Sequence, residues 1–104
     1  MKHTVLDGYN IKIGQNKEEN EILLDSRNTY HSWFHVKDFP SAHLWIDEDY
    51  NNLSKAQIYK CALELKKRGK FKKYNHIEII YALGKDIENE KSSVYPHKYK
   101  TIKV

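Results

Sequence analysis

The sequence predicts an α+β fold with about five mainly antiparallel strands, one long helix and one short helix. Several short segments alternate apolar and polar residues, a pattern typical of strands with one buried face. One longer segment, residues 54–68, carries apolar residues at helical spacing. No internal repeat or low-complexity linker interrupts the 104 residues, so we expect a single domain that spans residues 1–104.

The first two predicted elements are a strand and a short helix. Residues 9–13 (YNIKI) alternate between apolar and polar side chains, which predicts the strand. Asn16 can cap the helix that follows, and Glu19 stands three residues later, as in a capping box. We expect Ile22 and Leu23 to form the apolar side of this helix.

Two further strands are predicted around a turn between Trp33 and Ile46. Because side chains alternate between the two faces of a strand, Phe34 and Val36 should share the core face with Leu44. The opposite face, here called the tryptophan face, would carry Trp33, His35, Lys37, His43 and Trp45. Residues that oppose each other in this hairpin should have numbers with an even sum, and we expect a sum of about 80.

The tryptophan face has two interpretations. If it is exposed, its rings can stack on bases and its cations can contact phosphates. If helices cover both sides of the sheet, the tryptophans belong to the core, and both interpretations remain open for them. For His35, Lys37 and His43 we favour binding, because lysine is rarely buried without a partner. The expected register places Lys37 opposite His43 and His35 opposite Trp45.

The long helix is predicted to begin after Ser54. Ser54 and Gln57 have the spacing of a capping box, and Leu53 and Ile58 that of a hydrophobic staple. Its apolar stripe consists of Ile58, Cys61, Ala62 and Leu65. Gly69 is expected to end the helix. On this stripe the single cysteine is best interpreted as a small buried side chain.

The remaining elements are two strands separated by a loop. Ile77 to Tyr81 alternate as a strand, Asp86 to Ser93 form a polar stretch that predicts a loop, and Tyr99 to Val104 form the closing strand.

The charge balance favours an acidic partner. The formal net charge is +4, which suits nucleic acid, although it also serves solubility. The sequence contains no run that approaches the roughly 20 apolar residues needed to span a bilayer. We therefore expect no membrane partner, and one unpaired cysteine is typical of a reducing, cytoplasmic setting.

A second candidate binding segment follows the long helix. The cations from Lys66 to Arg68 can be explained by the helix dipole. Lys70 and Lys72 lie beyond the helix and alternate with aromatic rings, an arrangement that suits a nucleic-acid backbone. The complete set of predicted nucleic-acid-binding residues is Trp33, His35, Lys37, His43, Arg68, Lys70 and Lys72.

Catalysis and metal binding are not favoured. The histidines lack the spacing and the cysteine partners of zinc sites. The sequence contains no nucleophile motif or phosphate-cradling loop. We expect a protein without catalytic residues, metal or cofactor.

The central segment also resembles a known family. Trp33-Phe34-His35-Val36-Lys37-Asp38, a short turn and Ser41-Ala42-His43 are similar to the signature of the NFACT-R domain, the module found in the ribosome quality-control proteins NEMF, Caliban and RqcH. The flanking segments resemble the family over nearly the whole chain. The sequence departs from the family pattern in three places. Ser41 stands where the family often has glycine, and Gln15 stands where a basic residue is usual. The acidic run 86–90 stands where the family has a basic loop.

The resemblance implies RNA binding. It suggests a non-catalytic module that contacts tRNA or ribosomal RNA in a ribosome-associated role. Two alternatives remain, namely a DNA-binding module and an adaptor that docks on a ribosome-associated protein.

Overall fold

The structure, a computed structural model, describes residues 1–90 and 93–104, without the side chains of residues 89–94. It confirms the α+β fold. The strands are β1 (Lys2–Leu6), β2 (Tyr9–Gly14), β3 (Ser32–Val36), β4 (His43–Ile46), β5 (Glu78–Leu83), β6 (Ile87–Glu90), β7 (Ser93–Pro96) and β8 (Lys100–Lys103). The helices are α1 (Lys17–Asp25) and α2 (Lys55–Lys67), and short 3₁₀ turns occupy Tyr50–Asn52 and Gly84–Asp86.

Within the described residues, six strands form one sheet in the order β1-β2-β4-β3-β5-β8. Each neighbouring pair is antiparallel. The motif strands β3 and β4 lie at its centre, while β6 and β7 pair with each other in a separate hairpin. The central position of β3 and β4 explains why their apolar side chains are almost completely buried.

The sheet has an apolar cluster on each face. The larger cluster packs α2 against the face that carries Phe34, Val36 and Leu44, as predicted. From α2 it includes Ile58, Cys61, Ala62 and Leu65, which is the predicted stripe. The smaller cluster packs α1 against the tryptophan face. Because both faces are covered, the chain buries two cores around one sheet.

The register of β3 and β4 differs from the expected one. Trp33 opposes Trp45 and Phe34 opposes Leu44, so the opposed numbers sum to 78. The even sum is confirmed, but the predicted pairings of Lys37 with His43 and of His35 with Trp45 are wrong. The turn sets the register: the Val36 N–H donates to the Ser41 hydroxyl at 3.1 Å, and this hydroxyl donates to the Ala42 carbonyl at 2.9 Å. The sum is even because opposed residues must lie on the same face of the pleated sheet, whereas its value depends on how the turn closes.

Helix α1 is capped as predicted but packs on a different side. Asn16 Oδ1 accepts the Glu19 N–H at 2.9 Å, while the Glu19 carboxylate accepts the Gln15 N–H instead of completing a capping box with Asn16. Ile22 is 51% exposed, so its predicted place in the core is wrong. The buried leucines are Leu23 and Leu24. Leu23 and Leu24 follow Asn20 at helical spacing, so all three lie on the side of α1 that packs on the sheet. Because this side begins with a polar residue, the sequence does not show it as an apolar stripe.

Helix α2 agrees closely with its prediction. The Ser54 side chain accepts the Gln57 N–H, and the Gln57 side chain accepts the Ser54 N–H, so both halves of the capping box are present. Cys61 is fully buried, and burial raises the pKa of its thiol to about 12. A thiol that remains protonated is a packing group rather than a nucleophile.

Two strand regions were missed by the sequence analysis. β1 precedes β2 and joins it through a two-residue turn at Asp7 and Gly8, both with positive φ. A type I′ hairpin needs this conformation, and an Asp-Gly pair is its usual sequence signal. The predicted loop from Asp86 to Ser93 instead contains β6 and the start of β7, although residues 91 and 92 lie outside the described residues.

Candidate nucleic-acid interface

The tryptophan face is covered rather than open. Trp33 is 0% and Trp45 6% exposed, and both pack with the two buried leucines of α1 and with Ile87. The prediction that Trp33 stacks on a base is therefore wrong for this conformation, because its ring has no solvent-facing surface. The interpretation of the tryptophans as core residues is the correct one. The reason is tertiary: α1 docks on the sheet here, which strand periodicity alone does not reveal.

His35 and His43 belong to the same aromatic cluster. The His35 ring stacks on Trp33 with centroids 5.3 Å apart, and His43 meets His35 edge-on at 5.0 Å. Burial lowers the pKa of His35 to about 4 and that of His43 to about 3. Both rings are therefore neutral at pH 7 and offer no charge to a phosphate. His43 is also 8% exposed, so the structure places it in the packing rather than at a binding surface.

Asn20 connects α1 to this cluster and was missed as a key residue. Its side-chain oxygen accepts the His43 backbone N–H at 3.2 Å. A Cβ at Gly14 would collide with the same oxygen. Gly14 thus permits the close approach of α1 to the sheet.

Arg68 has an intramolecular partner. Its Nη2 lies 2.7 Å from Glu64 Oε1, one turn earlier in α2, and its side chain is 23% exposed. This hydrogen-bonded ion pair lowers the pKa of the Glu64 carboxyl, and the same carboxylate also faces Lys67 at 3.7 Å. In the structure Arg68 forms a helix-terminal ion pair, and its role in nucleic-acid binding stays a prediction.

Lys37 and Lys70 meet in a groove at the opposite end of α2 from Ser54. Two segments line it, here called its walls, namely residues 37–39 and residues 70–71 with 74–78. We call this feature the lysine–aromatic groove, and its volume is about 550 Å³. The Lys37 ammonium lies 3.5 Å from Glu78 in a partly exposed ion pair, in which another anion can replace the carboxylate. Lys72 is exposed beside the groove.

Three aromatic rings line this groove. Phe71 is 8% exposed and contacts Phe39 at 5.4 Å and Tyr74 at 5.7 Å between ring centroids. Phe39 and Tyr74 remain 53% and 60% exposed. The Lys70 ammonium lies 5.4 Å from the Phe71 centroid, within cation–π distance. The groove therefore combines exposed rings with lysine cations, the combination that was expected on the tryptophan face.

Two non-glycine residues of the groove have left-handed backbone conformations. Asp38 has φ 63° and His76 has φ 60°, one on each wall. Such conformations cost about 1–3 kcal/mol each and are concentrated at functional sites. Neither Phe39 nor Tyr74 was among the predicted binding residues. Tyr74 directly follows Lys73 in the basic stretch, which is a signal that could have found it. Phe39 stands between Asp38 and Pro40 in the turn after β3, where the sequence gives no such signal.

Neither a metal site nor a spanning helix is found in the described part of the chain. No group of three or more His, Cys, Asp or Glu side chains there is arranged to hold a metal ion. The helices within residues 1–90 and 93–104 are too short or too polar to cross a bilayer.

Comparison with known proteins identifies a similar fold but does not assign the chain to a family. No family model matches the chain, and no curated protein matches it. A solved structure of the C-terminal part of the fibronectin/fibrinogen-binding protein from Streptococcus suis is similar, with a TM-score of 0.85 and 22% identity. The match covers 98% of this chain and 43% of that chain. At this identity the similarity shows a shared fold.

Proposed function

We propose that this chain is a non-catalytic RNA-binding module of the NFACT-R type, which contacts tRNA or ribosomal RNA in a cytoplasmic, ribosome-associated role. The observation that carries the proposal is the lysine–aromatic groove. It places Lys37 and Lys70 beside exposed rings, with Lys72 adjoining. Cations that neutralise phosphates supply most of the affinity of such surfaces, and rings add stacking.

The charges around the groove support an anionic ligand. Lys70, Lys72 and Lys73 are exposed and follow one another within four residues, and the whole chain carries a net charge of +4. Of the two acidic residues in the groove, Glu78 already pairs with Lys37. An incoming phosphate can replace that carboxylate at the ammonium, because exposed ion pairs contribute little stability.

Salt titration of RNA binding tests the proposal. With about three phosphate contacts, the affinity for single-stranded RNA should fall with a log–log slope of roughly −2. Lys70→Ala and Lys72→Ala should each reduce the magnitude of the slope by about 0.7, whatever the RNA sequence. The measurement is fluorescence anisotropy at several salt concentrations.

A matched control is available in Lys55→Ala. Lys55 is an exposed lysine in the first turn of α2, at the end away from the groove. Its removal lowers the net charge equally but should leave the slope unchanged. If Lys55→Ala and Lys70→Ala have the same effect, the groove does not bind the phosphates. If the wild-type protein binds no RNA at low salt, the proposal fails.

Binding of DNA is the first alternative. The same cations would contact either backbone, so the slope does not distinguish the two ligands. Competition between RNA and DNA strands of identical sequence does, since a protein can recognise RNA through its 2′-hydroxyl. Preference for DNA would support the alternative.

A protein-docking adaptor is the second alternative. The structural neighbour is described as a fibronectin/fibrinogen-binding protein, and exposed rings such as Phe39 and Tyr74 also suit a protein interface. An interface of this kind should weaken far less with salt than phosphate binding does. Salt-resistant capture of a ribosomal protein, without RNA binding, would support the adaptor.

A further inference from the structure

From the geometry of the lysine–aromatic groove we infer that its ligand is an unpaired nucleotide, with the base against Phe39 and Tyr74 and the adjoining phosphates at Lys70 and Lys37. This inference rests on the proposed RNA-binding function and specifies which form of RNA the groove takes.

The first argument is the exposure of the two outer rings. Phe39 and Tyr74 expose more than half of their surface, yet each is anchored by contact with the buried Phe71. An anchored ring loses little conformational freedom when a ligand stacks on it. Flat faces of bases are available for such stacking when the base has left its duplex.

The second argument is the position of the cations relative to the rings. The Lys70 ammonium lies 5.4 Å from the Phe71 ring centroid, and Lys37 lines the groove from the other wall. A nucleotide has the same arrangement, a flat apolar ring joined to an anionic phosphate. A purely apolar ligand would leave both ammonium groups without a role, and a phosphate alone would leave the rings exposed.

The third argument concerns the polar groups between the two walls. Asn75 and His76 contribute hydrogen-bonding side chains to the groove, and Asp38 contributes a carboxylate. Carboxylates accept hydrogen bonds from exocyclic amino groups of bases, and amides both donate and accept. Groups of this kind can meet the edge of a base that is not paired with another base. A paired base would present that edge to its partner strand.

The experiment compares two RNAs of equal length, one single-stranded and one a blunt duplex, at one low salt concentration. The single strand should bind the wild-type protein at least tenfold more tightly. Phe39→Leu and Tyr74→Leu keep an apolar side chain but remove the flat ring. Each should weaken single-strand binding by roughly 5- to 150-fold, as expected for loss of one stacked base, and leave duplex binding unchanged.

The chain offers a control of matched exposure in Tyr30→Leu. Tyr30 is 59% exposed, close to the 60% of Tyr74, and the Lys85 ammonium lies 5.5 Å from its ring centroid. It lines a different pocket, together with Asp47 and Glu48, and so tests whether any exposed ring near a lysine has the same effect. Its substitution should leave RNA binding unchanged. Because all three rings are largely exposed, the variants should fold, and circular dichroism with thermal melting checks this.

The results separate the inference from the function on which it rests. The inference of an unpaired nucleotide would be overturned if single strand and duplex bind equally well and Phe39→Leu and Tyr74→Leu have no effect. If Lys70→Ala then weakens binding of both RNAs, the proposed RNA-binding function still stands. Absence of binding to either RNA would overturn both proposals. Loss of single-strand affinity in the two leucine variants, with a silent Tyr30→Leu, supports the inference.

Discussion

His35 and His43 show how a position in the fold changes the chemistry of a residue. Both side chains pack against Trp33 beneath α1, and burial is the main cause of their lowered pKa values. The charge on His35 would further disfavour a charge on His43, because the rings lie 5.0 Å apart. Burial disfavours the charged form of both imidazoles, so they act as neutral packing groups at neutral pH.

Folding stability should therefore fall as the pH drops below about 6.5. The unfolded chain has ordinary histidine pKa values near 6.5, whereas the folded pKa values are about 4 for His35 and about 3 for His43. The unfolded state consequently binds more protons between these values. Stability is greatest above pH 6.5 and decreases on acidification, by at most about 1.4 kcal/mol per pH unit for each histidine.

Urea titrations at four pH values, about 7.5, 6.5, 5.5 and 5.0, measure this loss of stability. The range avoids the carboxyl groups of Glu19 and Glu64, whose lowered pKa values affect stability below their usual value of 4.5. His43→Asn should flatten the dependence, whereas His3→Asn on the exposed strand β1 should not. A stability that does not change over this range would mean that the two histidines are not buried as described.

At the scale of elements, α2 is the part of the chain in which local signals and tertiary packing agree. The capping box at Ser54 and Gln57 satisfies backbone donors at its start, and Leu65 is 3% exposed within the larger core. Caps and apolar stripes are read from neighbouring residues, so they are visible in the sequence. In α1, by contrast, the docking face contains Asn20, and its contact with Gly14 involves a separate strand.

Two substitutions in α2 should differ in their effect on stability. Leu65→Ala should reduce the free energy of unfolding by about 2–5 kcal/mol, because it removes buried surface and leaves a cavity. Ser54→Ala should reduce it by about 1 kcal/mol through the lost cap. Denaturant titration of both variants checks the ranking. Similar small effects would show that α2 does not pack on the sheet through Leu65.

For the molecule as a whole, Arg27 joins segments that are far apart in the chain. Its guanidinium donates to the carbonyls of Leu24 at 2.8 Å, Gly84 at 2.9 Å and Ile87 at 3.2 Å. These hydrogen bonds connect the end of α1 to the segment that leads into β6. Gly84 permits this approach, because a Cβ there would collide with the Asn28 carbonyl. Sequence reasoning did not single out Arg27.

Arg27→Ala should reduce the free energy of unfolding by roughly 1.5–3 kcal/mol, since a charged donor that makes three part-buried hydrogen bonds is lost. Arg27→Lys should recover little of this, because an ammonium group lacks the planar fork that reaches three carbonyls. Thermal and denaturant unfolding measure both effects. Full recovery by lysine would show that the charge matters and the hydrogen-bond geometry does not.

Features that depend on neighbouring residues were determined by the sequence itself. The alternation of β3 and β4, the capping box of α2 and the burial of Cys61 were all predicted and are confirmed. Each follows from geometry that repeats within a few residues, namely the pleat of a strand or the turn of a helix. The α+β fold followed because such elements can bury their apolar sides in few ways.

Features that depend on distant residues were decided by the tertiary structure. Whether the tryptophan face is open depended on where α1 docks, and the sequence left that question open. The lysine–aromatic groove arises because residues 37–39 and 70–78 meet across the ends of β3 and β5. Contacts between segments this far apart leave no periodic pattern in the sequence, since they are selected by the packing energy of the complete fold rather than by local geometry.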